Sequence, residues 1–201
     1  MKYSYILKSE ERILRPVVMD DAEFIVKVRN QKKVLGRIND SFTEIEKQRM
    51  WLADYLQREN EYYWIIETPD HRPYGTASLY NYDAEKRQME SGRWVKMVDA
   101  PVTNMFAERV QGNDFAFGVL GLRRLVFDVV ATNRRVLQWH RLCGAIETGG
   151  EKEKFVIQGR SIDVVWFEET LESWRKVRPM MCELAGVDPN RPYGTIERIM
   201  V

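Results

Sequence analysis

Cysteine and histidine are both scarce, with two of each among 201 residues. Cys143 and Cys182 stand far apart, each framed by apolar residues at helical spacing, and no His clusters near them. A disulfide framework or a zinc site would need more ligands than this, so neither is expected. Long apolar runs are missing too. Nothing approaches the roughly eighteen apolar residues of a membrane helix, and no charged-then-apolar leader opens the chain, so neither spanning nor export is expected. The cytoplasm is the default location. An excess of charge is also absent: 31 Lys and Arg face 30 Asp and Glu, leaving no bulk field to attract nucleic acid or an anionic membrane. Any basic patch has to be local. Nor is there an internal repeat, because RPYGTA from Arg72 and RPYGTI from Arg191 share six residues without similar flanks and read as turn chemistry.

What is present is enough for one well-cored domain, with 44% hydrophobic and 30% charged residues. Leu125 to Ala145 changes period in the middle. Leu125 to Ala131 reads as a buried strand, and from Val136 apolar residues recur at three- and four-residue steps up to Gly144, a helix end. A strand, an Asn junction at Asn133 and a short helix make half of a βαβ unit, a frequent ligand site.

In chain order, Arg12 to Val18 predicts a first strand, placed near an edge by Pro16. Asp20 caps a helix over Asp21 to Asn30, and Gln31 to Asp40 is a polar connection containing Gly36. Ser41 or Thr43 caps a second helix to Gln57, with Glu46 completing a capping box and Ile45, Met50, Trp51, Leu52, Tyr55 and Leu56 on its apolar face. Tyr62 to Glu67, Thr76 to Tyr82 and Met89 to Val98 are successive hairpin-connected strands, with Gly92 marking a bulge or a close approach. A helix follows over Val102 to Leu120. After the strand and helix at Leu125 to Ala145 come a hairpin of Phe155 to Gln158 with Ser161 to Phe167, a helix over Leu171 to Ala185, and a tail from Gly186.

Strand, two helices, three antiparallel strands, helix, strand, helix and hairpin make an α+β fold. The ordered set LRP at Leu14, Arg29-Asn30, the helix around Trp51, ESGRW from Glu90, FAFGVLGLRRL from Phe115, Asn133 with Gly144 eleven residues on, and QGRSIDVVWF from Gln158 resembles the GNAT acetyltransferases. The likeness is to their branch of ribosomal-protein and nucleotide-aminosugar N-acetyltransferases, and it runs to Trp174. It places a GNAT domain over residues 1–186 and leaves 187–201 as a tail.

The resemblance implies a mixed, mostly antiparallel sheet flanked by helices. Two of its strands splay to admit acetyl-CoA, the cosubstrate. The pantetheine arm is expected along the backbone of Val95, Met97 and Val98, the pyrophosphate at the helix N-terminus near Thr103, Asn104 and Met105, and the far wall at Asn133, Val136 and Trp139. The family's Gln/Arg-x-x-Gly-x-Gly/Ala loop is replaced by DAPVTNM from Asp99, so side chains stand where glycine clears the way. Glu90 is the candidate base for the acceptor amine, or else a solvated strand residue. His140 occupies the place of a Tyr that serves as general acid seven residues past the junction Asn. Imidazole suits that role, though a lone His on an apolar face also reads as core. Asn133 fits a helix cap, a pantetheine contact, or both. Cys143 reads as core.

For the acceptor, the resemblance points to the first two helices and the late hairpin: Arg29, Asn30 and Arg37 for a diphosphate, and Asp163 from the hairpin. Arg29 also reads as helix surface, Asp163 as an edge-strand charge and Trp51 as core. A small-molecule amine is the expected partner, a nucleotide-linked aminosugar before a protein N-terminus, with no nucleic acid or membrane; the family allows a homodimer. The glycine-poor loop keeps open a second class, a GNAT-fold binding or assembly protein without catalysis.

Overall fold

The structure is a computed structural model describing residues 3–35, 37–38, 42–157 and 159–200. Gly36, Ser41 and Gln158, which figure in the sequence reading, lie outside the described residues. Among the described residues, nine strands form one sheet in the order β7-β8-β6-β5-β4-β3-β2-β1-β9. The strands are β1 (Tyr3–Lys8), β2 (Ile13–Pro16), β3 (Tyr62–Glu67), β4 (Pro73–Asp83), β5 (Gln88–Lys96), β6 (Arg124–Val130), β7 (Ile146–Ile157), β8 (Arg160–Thr170) and β9 (Thr195–Met200). Neighbours are antiparallel except β5 and β6.

Alternation along the strands decides what each face of the sheet carries. Tyr63 and Ile65 of β3 point to one side, where α1 (Ala22–Arg29) and α2 (Ile45–Tyr55) cover them with Ala22, Ile25, Leu52 and Tyr55. Trp64 and Ile66 point to the other side. There α3 (Met105–Asn113) and α5 (Leu171–Ala185) close the larger core with Phe115, Trp174 and Met181, and both cysteines are fully buried in it. Helix α4 (Arg134–Leu142) packs Leu137 on Phe127, Val129 and Phe167. No helix among the described residues is long and apolar enough to cross a membrane.

Several expected boundaries shift for physical reasons. The helix expected to run to Leu120 leaves α geometry at Asp114 and continues as a π turn over Asp114–Val119. Phe115, Ala116 and Phe117 are all buried, and a wide turn brings three consecutive side chains inward where an α-helix would put one outside. Asp114 is gripped by Arg178 of α5 at 2.7 and 2.8 Å. Asp20 does not cap α1: the N-cap residue is Asp21, without a side-chain cap, and its Oδ2 accepts instead from the Val18 amide at 2.7 Å, at the start of the 3-10 turn over Met19–Asp21, while both oxygens accept from Arg15. Thr43 does not cap α2, whose N-cap residue is Glu44 with no side-chain cap; Met50, placed on its apolar face, is 74% exposed.

The ends of the chain depart further from the sequence reading. Tyr3–Lys8 is a strand, and the segment read as a tail returns as β9 to pair with it from Tyr3↔Met200 to Lys8↔Thr195. The repeated hexapeptides each lead into a strand, and their tyrosines, Tyr74 and Tyr193, both lie close enough to Arg12 to act on its charge. Gly194 makes the entry to β9 possible: its φ is +82°, and a Cβ there would stand 2.1 Å from the Lys8 carbonyl oxygen. Gly194→Ala is therefore expected to cost about 2–3 kcal/mol from strain and displacement. Urea unfolding should show the loss, with faster amide exchange in β1 and β9 than in β3 to β6; an unchanged midpoint would mean that β9 adds nothing to the fold.

Candidate active site

The site begins where two strands stop pairing. Strand β5 runs parallel to β6 through Gln88↔Arg124, Met89↔Leu125 and Glu90↔Val126 only. Beyond Glu90 a bulge turns β5 away: Ser78 pairs with Gly92 and Thr76 with Val95, so Arg93 and Trp94 together oppose Ala77. Arg93 takes φ +52°, a left-handed conformation rare for a residue with a side chain. The Thr76 hydroxyl donates to its carbonyl at 2.7 Å, and its guanidinium donates to the Ser78 hydroxyl at 2.9 Å. Meanwhile β6 stays paired with β8 to Val130. The wedge between them opens into a cavity of about 610 Å³ that reaches both faces of the sheet.

On the α1–α2 face, Glu90 sits at the last paired position. Tyr80 donates to its Oε1 at 2.7 Å and Asn81 to its Oε2 at 3.0 Å, and burial followed by the Glu90 charge pushes the Tyr80 phenol up. The Arg93 guanidinium lies 4.1 Å from the Tyr80 ring centroid, 5.1 Å from Trp51 and 5.5 Å from Tyr63. Arg29, 9% exposed, lines the same space with Arg37. Burial, and then the Arg93 charge against the opposing pull of Tyr63, hold the Arg29 guanidinium below its ordinary range. Lys154, paired with Asp128 at 2.8 Å, closes the β7 side.

On the α3–α4 face the cavity is a slot between helices, lined by Met105, Arg109, Gly112, Asn133, Val136, Trp139 and His140. Trp139 packs on Phe106 at 5.2 Å. A Cβ on Gly112 would meet nothing within 4 Å, so the space beside mid-helix glycine is open rather than packed. The Asn133 side chain makes no capping bond to α4, which leaves it available to a ligand. These walls fit a long, narrow group such as a pantetheine arm.

The end of the slot where the pyrophosphate is expected is built differently. Asn104 caps α3 itself, its Oδ1 accepting from the Phe106 and Ala107 amides at 3.1 and 3.2 Å, while its own amide donates to Glu11 at 3.2 Å. Thr103 bonds Glu108, as does Lys96 at 2.5 Å. Val98 and Lys96, whose backbone groups point away from β4, hold the Gln31 side chain: the Val98 amide donates to Oε1 at 2.7 Å, and Nε2 donates to the Lys96 carbonyl at 3.1 Å. The Met97 amide turns the other way, to Tyr74.

Of the residues expected in a site, Glu90, His140, Val95, Met105, Asn133, Val136, Trp139, Arg29 and Arg37 line this one cavity. Met97, Val98, Thr103 and Asn104 do not line it, and Asn30 and Asp163 serve the scaffold. Asn30 closes α1, donating to Val26 and Phe42 carbonyls at 2.8 Å. Asp163 accepts from the Glu153 amide at 2.9 Å, pinning the irregularity in β7 that precedes Lys154. Nothing in the sequence marks Tyr80, Arg109, Asp128, Lys154 or Gln31 as site residues. The Arg inserted into ESGRW was visible there, but nothing foretold its positive φ.

His140 is 7% exposed, wedged between Phe127 at 4.3 Å and Phe167 at 5.7 Å. Burial, then the charge of Arg109, push its pKa down to about 3. The unfolded chain takes up a proton below about 6.5 that the folded chain refuses, so this contribution to stability is complete above that value and is lost as the pH falls toward 3. The loss is limited to about 1.4 kcal/mol per pH unit. In His140→Phe the acid limb of the stability curve should flatten by up to that slope. Parallel curves from urea midpoints across the acid range would mean that the imidazole titrates normally in the fold. Glu11→Gln removes a carboxylate from the N-terminus of α3, and acetyl-CoA is expected to bind about two- to fivefold tighter by calorimetry; weaker binding would place the phosphates elsewhere.

Residues 12–146 match the acetyltransferase (GNAT) domain family. Among solved structures, the chain is similar to apo FdhC, a nucleotide-linked sugar GNAT, with 25% identity, TM-score 0.73, and coverage of 90% of this chain and 98% of that one. It is also similar in fold to the spermidine N-acetyltransferase of Vibrio cholerae in complex with CoA and spermine, with 17% identity, TM-score 0.73, and coverage of 82% and 98%. A search of curated proteins found no match.

Proposed function

The chain belongs to the GNAT acetyltransferase family, as an N-acetyltransferase that uses acetyl-CoA, and we propose that its acceptor is a primary amine on an anionic carrier, a nucleotide-linked aminosugar. The observation that carries this reading is the arginine set on the acceptor face, Arg29, Arg37 and Arg93, beside the ring faces of Trp51, Tyr63 and Tyr80. Guanidinium groups pair with phosphate oxygens through parallel N–H donors, and aromatic faces favour a sugar or base. The same charges repel a polyamine, which discriminates against it as effectively as contacts favour the anion. The relative at 25% identity is a nucleotide-linked sugar GNAT, which agrees with this choice.

Acetyl-CoA supplies an acetyl group already activated as a thioester. This chain's residues do the rest. The β5 edge and the α3–α4 slot orient the arm, with Val95, Met105, Asn133, Val136 and Trp139 as its walls. The acceptor enters from the opposite face, and its ammonium has to lose a proton before nitrogen can attack. Glu90 takes that proton. Its oxygens are held by two neutral donors and, among the described residues, no cation pairs with it, which fixes the orientation of the carboxylate.

Nucleoside-diphosphate aminosugars, spermidine and a peptide with a free N-terminus, assayed by thiol release, test the reading. The aminosugar is expected to lead spermidine by about a hundredfold in kcat/KM, the worth of two charged contacts. Arg93→Ala should raise the aminosugar KM at least about tenfold while leaving the acetyl-CoA KM near its original value, and Glu90→Gln should lower kcat by about a hundredfold or more. Spermidine as the best acceptor would reverse the assignment.

A further inference from the structure

Helix α3 and strand β8 share a buried ion pair beneath the split. Arg109 Nη2 donates to Glu169 Oε2 at 2.7 Å and Asn113 donates to Oε1 at 2.9 Å, with the two charged side chains 13% and 0% exposed. The guanidinium lies over the Phe127 ring at 5.6 Å. Its hydrogen-bonding capacity is only partly used: Nε is buried without a partner among the described residues. His140 Nδ1, across the same slot, is also buried and unpartnered. A buried donor left unmade costs about 1–3 kcal/mol, so two such groups on one cavity mark a place where a ligand atom belongs.

Position decides which ligand atom. Arg109 is in the second turn of α3, behind the helix N-terminus where phosphates would lie, and it rests on Phe127, one residue past the final β5–β6 pair. The group that reaches this depth is the thioester end of the arm. During transfer one negative charge develops there, on sulfur.

We propose that Arg109 is a catalytic residue whose unused hydrogen-bonding capacity takes up the charge of the departing coenzyme A sulfur, so that it leaves as a thiolate held by a fixed cation. This rests on the acetyltransferase reading. The step balances without a proton donor on α4: Glu90 takes the ammonium's first proton and passes it to solvent before attack, the acceptor nitrogen's lone pair forms the new C–N bond, the C–S bond breaks with its electrons on sulfur, and the nitrogen's second proton goes to the freed Glu90 carboxylate. The thiolate collects its proton from solvent after release. His140 fits this division of labour, since burial and Arg109 keep it neutral. Glu169 is a positioning residue that turns the positive edge of Arg109 toward the slot. The other charged or titratable groups near this point are His140 and Cys143 on α4 and, through the split, Glu90, Asp128 and Lys154.

The test compares binding of free coenzyme A with desulfo-coenzyme A as the pH rises, by calorimetry, together with the ultraviolet absorption of the bound thiolate. In the wild type the thiol pKa of bound coenzyme A should fall, and its affinity should gain on the desulfo analogue by about tenfold per unit of that fall. Arg109→Lys should keep part of the gain, Arg109→Met should abolish it, and His140→Phe should leave it. Arg109→Met strands a buried carboxylate, so Arg109→Met with Glu169→Met, which removes both charges, serves if the single variant does not fold. Parallel pH profiles in the wild type, or a gain that survives loss of Arg109, overturn the proposal alone. Failure of both ligands to bind overturns the coenzyme A slot and the proposal with it.

Discussion

The parallel pairing of β5 and β6 ends after three residue pairs, and every functional group is placed by that ending. Strand β6 cannot open the gap, because seven pairs with β8 hold it through Val130. The turn is made by β5, and the bulge at Arg93 makes it. A left-handed arginine costs roughly 1–3 kcal/mol and persists only where its surroundings over-determine it. Here the Thr76 hydroxyl, the Ser78 hydroxyl and three aromatic rings do so. One backbone irregularity thus opens the slot and delivers a cation to the acceptor face.

The charges then sort by side. Helix α3 is anchored at Glu108, by Arg12 at 3.1 Å and Lys96 at 2.5 Å, and at Arg109 and Asn113, by Glu169. Buried pairs of this kind are weak evidence for stability, because desolvation offsets most of the attraction. What they supply is orientation. Three polar attachments along a nine-residue helix hold it against Arg12, Lys96 and Glu169 and so fix one wall of the slot. On the α1–α2 face, the partners shown for the Arg93 guanidinium are ring faces and a neutral hydroxyl, which leave its charge uncancelled for an anion.

Local signals in the sequence were read well. Helix α5 has the bounds expected from Leu171 to Ala185, since Thr170 and Ser173 cap one end reciprocally and Gly186 at φ +68° closes the other. The strand, Asn junction and helix around Asn133 also stand where the change of period put them. Long-range pairing was not legible. Strand β9 is short and mostly exposed, and its pairing is with β1, almost two hundred residues away. The first two thirds of β7, with two glycines and then the charged run Glu151 to Glu153, are exposed and held by β8. The same limit applies to the site: Glu90 and Asn133 sit in motifs, whereas Arg109 gains meaning only from Glu169, sixty residues on.

A glycine-poor phosphate loop and a charged residue beneath the sulfur bear differently on catalysis. Contacts to the phosphates are the same before, during and after transfer, so weakening them raises the concentration of acetyl-CoA needed without slowing the bound complex. On the proposed placement of the phosphates, α3 capped by Asn104 with Glu11 beside it offers little of that uniform binding. A contact between Arg109 and the sulfur grows as the C–S bond breaks, so it acts on the rate. In water the thiolate would be solvated at the cost of ordering solvent; in the slot the cation is already in place, fixed by Glu169 and Phe127. On the proposed roles, the fold has given up grip at the nucleotide end and kept a preorganised charge where the bond is broken.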